Sequence, residues 1–192
     1  MSGDNYHHGN LQLALIETGI ALINKEGLGG FSLRKVAALC NVSHAAPYAH
    51  FKDKNQLQKA MREYVASKFT KLFEDILLNN DKNHPSIIDK LGIAYVSFFI
   101  DNPEYFNFLF AQGDIKINLS ISDTAKDSFP AFQIFKDTAT AIYKSLRLPD
   151  SQIENIIIIK WSVVHGLASI ATMDGATYDK DWKSQIAELL CI

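Results

Sequence analysis

The sequence predicts an all-α chain: an amino-terminal three-helix domain carrying a helix-turn-helix, then a larger helical domain. Three observations predict this. Apolar residues recur at three- and four-residue spacing through most of the length, the alternation that marks half-buried strands is missing, and helix caps and stops punctuate the pattern. With 192 residues there is room for one small and one medium domain. The division is expected between residues 1–58 and 59–192.

The elements follow in order. From Leu11 to Glu26, Leu11, Ala14, Leu15, Leu22 and Ile23 form an apolar stripe, and Gly27 stops the helix. The Gly-Leu-Gly-Gly run at 27–30 makes a corner. Ser32 is placed to cap a helix through Cys40, with Val36, Leu39 and Cys40 turned inward. Asn41 suits the left-handed conformation that ends a helix, and Ser43 is placed to cap a second short helix through Phe51. Asp53 with Gln56 reads as a capping box for a helix toward Leu78. Pro85 fits the first turn of a helix through Ile100, and Asn102-Pro103 opens one through Gln112. Residues 113–123 read as a loop, and helices are expected over about 124–146, 150–173 and 180–191. The four isoleucines at 156–159 have strand propensity, yet their long run without turn residues favours a buried helix.

Composition narrows the class. Hydrophobic residues make up 47% of the chain, enough for a core and against global disorder. No apolar run reaches the roughly 18 residues of a membrane helix, and the polar amino terminus lacks a signal-peptide core. The expectation is a soluble, cytoplasmic protein without a membrane partner, whose cysteines, Cys40 and Cys191, stay reduced. The net charge of −2 alone argues against a nucleic-acid partner. Through residue 60, however, Lys25, Arg34, Lys35, Lys52, Lys54 and Lys59 face only Asp4, Glu17, Glu26 and Asp53, so this end is mildly basic on an acidic body. Paired carboxylates at metal spacing, a glycine-rich phosphate loop and a nucleophile motif are all missing, so no enzyme and no cofactor are expected. His7 and His8 are adjacent, but no cysteine or carboxylate stands at metal spacing, so no metal site is expected. An arm lying near DNA and an idle surface pair are equally open readings there.

The segments Ser32–Cys40 and Ser43–Phe51, joined by Asn-Val-Ser, have the arrangement whose second helix enters the major groove. Ser43 at the cap leaves first-turn N–H groups free for a phosphate. His44 can donate or accept at a base edge, and the methyls of Ala45 and Ala46 can meet a thymine methyl. Tyr48 and His50 can reach phosphate oxygens, and Arg34, Lys52 and Lys54 supply cations. Pro47 falls early in this helix, where its missing N–H removes only the first intrahelical bond.

The stretch "GFSLRKVAALCNVSHAAPYAHFKDKNQL" resembles the amino-terminal DNA-binding domain of the TetR family of bacterial transcriptional regulators, over roughly residues 8–60. The resemblance implies an all-α homodimer on a palindromic double-stranded operator, with a ligand-sensing and dimerisation domain after the fourth helix, from Asp53 to about Leu78. It implies a phosphate contact for Arg34, base reading for His44, Ala45 and Ala46, backbone contacts for Tyr48 and His50, and a role for Lys54. Pro47 stands where leucine is commonest, and Ala49 replaces a frequent arginine or bulky side chain, which shifts weight to Lys52, Lys54 and the amino terminus.

Eight of the twelve phenylalanines lie between Phe98 and Phe135. Most belong to a core, but an apolar cavity with a few polar groups is also how small ligands are held. Trp161, His165 and Gly166 resemble the tryptophan–histidine–glycine signature of one TetR-family carboxy-terminal class, as does "NPEYFNFLF" at 102–110. The resemblance implies a small apolar or aromatic effector, of unknown identity, near Tyr95, Phe99, Phe106, Phe110, Phe132, Tyr143, Trp161 and His165. A hydrogen-bonded core histidine is an equal reading of His165. Mid-helix Gly166 suggests close helix approach. In family terms the last two helices form the dimer interface, through faces such as Ile153, Ile156, Ile157, Ile186, Leu189 and Leu190. The expected function is a ligand-released repressor. The alternatives are a DNA-binding regulator without a small-molecule ligand and a helical enzyme or carrier.

Overall fold

Gly27 breaks the first helix because its backbone, at φ 71°, lies in the left-handed region that only glycine enters freely. In the computed structural model, which describes residues 11–110, 115–122 and 128–190, this helix is α1 (Leu11–Gly30). It buries Leu15, Leu22 and Ile23 of the expected stripe together with Ile16 and Ile20, while Leu11 and Ala14 are half-buried. Gly19 lies on that stripe, and a β-carbon there would stand 2.6 Å from Met61 Sδ. Glycine therefore sets how closely α1 approaches the helix that carries Met61.

The chain divides into two compact units, residues up to Val65 and residues from Ala66. In the first, α2 (Leu33–Leu39) starts where expected: Ser32 Oγ accepts from Lys35 N at 3.2 Å. Asn41, at φ 55°, ends it. The inward stripe is Leu33, Val36 and Ala37; Leu39, expected to turn inward, is the last residue of the helix and is 59% exposed. α3 (Lys54–Leu78) begins with Asp53 accepting from Gln56 N at 2.9 Å. The capping box is not reciprocal: Gln56 Oε1 reaches the N–H of Lys52 rather than that of Asp53. Leu57, Met61 and Val65 are the buried positions of α3 in the first unit, and Phe69 and Phe73 those in the second.

The second unit is organised around α4 (Ser86–Asp101), which packs against α5 (Pro103–Phe110), α6 (Pro130–Ser145), α7 (Asp150–Ala171) and α8 (Trp182–Leu190). No strand occurs among the described residues. The isoleucine run is helical, as expected. α6 starts at Pro130, later than the sequence suggested: Phe129 precedes a proline and takes ψ 121°, outside the helical region. The end expected at Gln112 lies outside the described residues. The irregular segment 115–122 is tied down by two side chains. Lys136 Nζ donates to the carbonyls of Asn118 and Ser120, both at 3.0 Å, and Glu154 Oε1 accepts from Ile121 N at 2.9 Å.

The sequence reading expected no apolar run of membrane length. The 22-residue α7 nonetheless contains an 18-residue window of mean hydropathy 1.3 that is, by length and composition alone, apolar enough to cross a membrane. Its inward residues Ile153, Ile157, Trp161, Val164 and Ala168 fill the core of the unit. The apolar surplus is outward: Ile158, Ile159, Val163 and Ile170 are exposed. Gly166 does not mark a close approach within the chain, since a β-carbon there would meet nothing within 4 Å.

Candidate functional site

The segment after α2 differs from a capped helix in a way Pro47 explains. An α-helix continuing from Ser43 would send the N–H of residue 47 to the Ser43 carbonyl. Proline has no N–H, so that carbonyl accepts from Ala46 N instead, at 3.0 Å. The result is a 3-10 turn, Ala46–Ala49, with Ala45 and not Ser43 at its cap position and no side-chain cap hydrogen bond. Ser43 as a capping residue is thus corrected, and the helix expected through Phe51 is a single tight turn. Pro47 itself is buried, and its carbonyl accepts from His50 N at 3.0 Å and Phe51 N at 2.9 Å. The ring anchors the turn in the core of the unit.

Anchoring one side presents the other. Ser43, His44, Ala45, Tyr48 and Ala49 are exposed, Tyr48 at 61%, while Ala46 and His50 are half-buried. Arg34, on α2, and Lys52 and Lys54, at the start of α3, are exposed as well. The ten nucleic-acid candidates therefore lie in one short stretch of fold, on three consecutive elements. Lys35 is engaged elsewhere: its Nζ pairs with Glu26 at 2.7 Å, holding the 27–30 corner. The hydrogen bond to that ammonium, and then its charge, hold the Glu26 carboxyl below its usual range. Cys40 is the C-cap of α2, and its thiol lies 3.2 Å from Thr18 Oγ1, a packing role against α1.

In the second unit the aromatic candidates separate into groups. Tyr95 is the hub: its ring meets Phe99 at 5.0 Å, Trp161 at 5.0 Å and Phe69 at 5.2 Å, edge to face. Phe106 and Phe110 flank His165 at 5.1 and 4.7 Å, and Phe132 meets Trp161 at 4.7 Å. Tyr95 Oη lies 2.9 Å from His165 Nδ1. Burial pushes the Tyr95 phenol well above its ordinary range and pulls the His165 imidazole down. Both groups are then held in their neutral forms, and the imidazole tautomer sets which of the two donates. Tyr143 stands apart, half-buried on α6; burial and then the neighbouring Asp89 charge raise its phenol.

A cavity of about 210 Å³ lies among α4, α6, α7, α8 and Phe73 of α3. Of the eight ligand candidates, Tyr95 and Trp161 line it. Its other walls include Leu91, Gly92, Phe135, Val164 and Leu190, and its polar edge is Asp89 and Lys160, 3.5 Å apart. Sequence reading missed this edge, although a signal was present: Lys160 is the only charge between Asn155 and Ala171. The residues named for the faces of the last two helices divide in the structure. Ile153, Ile157 and Ile186 are buried in the chain's own core, and Leu189 and Leu190 line the cavity.

Residues 15–61 match the family model described as bacterial regulatory proteins, tetR family. Among solved structures, a protein of unknown function from Rhodococcus sp. RHA1 is similar over 98% of this chain and 94% of its own, at 22% identity and TM-score 0.68. A tetR-family regulatory protein from Rhodococcus RHA1 is similar over 93% and 92%, at 15% identity and TM-score 0.68. The transcriptional regulator FadR from Bacillus subtilis, in complex with stearoyl-CoA, is similar over 93% and 95%, at 13% identity and TM-score 0.66. No curated protein matches the chain by sequence.

Proposed function

We propose that the chain, whose residues 15–61 match the model of the tetR family of bacterial regulatory proteins, is a homodimeric transcriptional repressor that a small ligand releases from DNA. The observation that carries the reading is the Pro47-anchored turn, which holds His44, Ala45 and Tyr48 toward solvent between the cations Arg34, Lys52 and Lys54. His44 and Ala45 would read base edges, and Tyr48, His50 and the cations would fix the turn against phosphates. A single unit of this size makes few contacts. A two-fold dimer doubles them on a palindrome whose half-sites lie about 34–36 Å apart.

The exposed stripe Ile158, Ile159, Val163 and Ile170 supports the dimer, since a second copy would cover it and could approach closely at Gly166. The same helix supports ligand control. Ile159 and Val163 belong both to that stripe and to the cavity wall. A ligand entering the cavity presses on the helix that meets the partner, and it shifts the dimer only by its differential affinity for the two arrangements. FadR of the same fold holds stearoyl-CoA, which favours a ligand-bearing role for the helical unit.

The test is operator binding by the full chain, on duplexes selected from a random pool. Tyr48→Ala with Lys54→Ala should weaken binding while the circular dichroism and dimer mass stay unchanged. Loss of the Lys54 contact from both subunits should also lower the slope of log K against log salt by about 1.8. Equal affinity of variant and parent in a gel-shift titration sinks the assignment of the recognition turn.

A further inference from the structure

We propose that the cavity of the second unit takes a small uncharged amphiphile, with a body of about one benzene ring and a short substituent ending in a single hydroxyl. The inference rests on the effector reading above and names its chemical class.

Size sets the body. An apolar cavity of about 150 Å³ holds benzene. The 210 Å³ here leaves room for a few further atoms. The walls set its character: Phe73, Leu91, Phe135, Val164 and Leu190 offer hydrocarbon, and the hydroxyl of Tyr95 is already engaged by His165 at 2.9 Å. The edge sets the head group. Asp89 and Lys160 face each other at 3.5 Å, with no net charge between them. A carboxylate drawn to Lys160 is repelled by Asp89, and an ammonium meets the reverse; each must also shed water. A hydroxyl donates to Asp89 and accepts from Lys160, so it satisfies both without displacing either.

Three probes with one body test this: benzyl alcohol, benzoate and benzylammonium. The chain holds two tryptophans, so the full-length Trp182→Phe protein reports through Trp161 alone, at the cavity wall. Benzyl alcohol is expected to change Trp161 fluorescence saturably and to bind at least about fivefold more tightly than either ion. Lys160→Met leaves Asp89 unopposed and should raise benzylammonium affinity about two- to fivefold; Asp89→Asn should do the same for benzoate. Both side chains are partly exposed, so neither change disturbs the core. No saturable binding of benzyl alcohol, tightest binding of benzoate or benzylammonium by the parent, or unchanged affinity for both ions in both variants each overturns the assignment. If another compound releases DNA while benzyl alcohol does not bind, the chemical class falls and the regulator reading stands. If benzyl alcohol binds as described and operator affinity is unchanged at saturation, the class stands and control through this cavity falls.

Discussion

Pro47→Ala tests the physical account of the recognition turn, because three terms compete. The substitution removes two buried methylenes, at about 0.8 kcal/mol each, from a residue packed into the first unit. It also frees the unfolded backbone, worth about 0.4–1 kcal/mol. Against these, alanine restores an N–H that the Ser43 carbonyl can accept, a gain of about 0.5–1.5 kcal/mol. The losses exceed the gain by about 0.5–2 kcal/mol. At about 2–4 °C per kcal/mol for a chain of this size, Tm should fall by roughly 1–8 °C. Differential scanning calorimetry measures this, and a gel shift on the selected operator measures the consequence. The alanine variant should bind more weakly, since the turn is no longer held in its 3-10 form before contact. A rise in Tm would refute the reasoning: the missing N–H would then dominate, and the ring would not be the anchor.

Other expectations follow from the same geometry. Ser32→Ala should destabilise by about 1 kcal/mol through loss of its cap bond to Lys35 N, whereas Ser43→Ala should leave stability within about 0.5 kcal/mol, both read by chemical denaturation. Lys136→Met should cost about 1–3 kcal/mol, since it strips the carbonyls of Asn118 and Ser120 of a donor that is only 4% exposed; hydrogen exchange should rise in residues 115–122. His165 has a folded pKa below its unfolded value near 6.5, so the unfolded state binds the extra proton. Its contribution is therefore fully present above about pH 6.5 and is lost as pH falls from there toward the lowered folded value, and His165→Gln should flatten the Tm profile across that window. Ile159→Glu should yield monomers in sedimentation analysis, because it places a charge on the exposed stripe of α7.

The helical class, the order of the elements and the stretch that faces DNA in the proposed function are legible in the amino-acid chain alone. These are local quantities. Ser32 caps α2 and Asn41 ends it through bonds spanning a few residues, and Pro130 sets the start of α6 by excluding helix from Phe129. Even the form of the recognition turn was latent in the chain, since Pro47 dictates it once the Ser43 carbonyl is followed to its partner. Which side of each helix turns inward depends instead on long-range packing. Periodicity names an apolar stripe but not its partner, and α7 is apolar on nearly every side. Packing against α4 assigned Ile153 and Ile157 to the core and left Ile159 and Val163 outside. The cavity is likewise a product of packing: Asp89 and Lys160 are separated by seventy-one residues, and no spacing rule joins them. Only the crossing of their helices places the two charges at one edge of an apolar hollow.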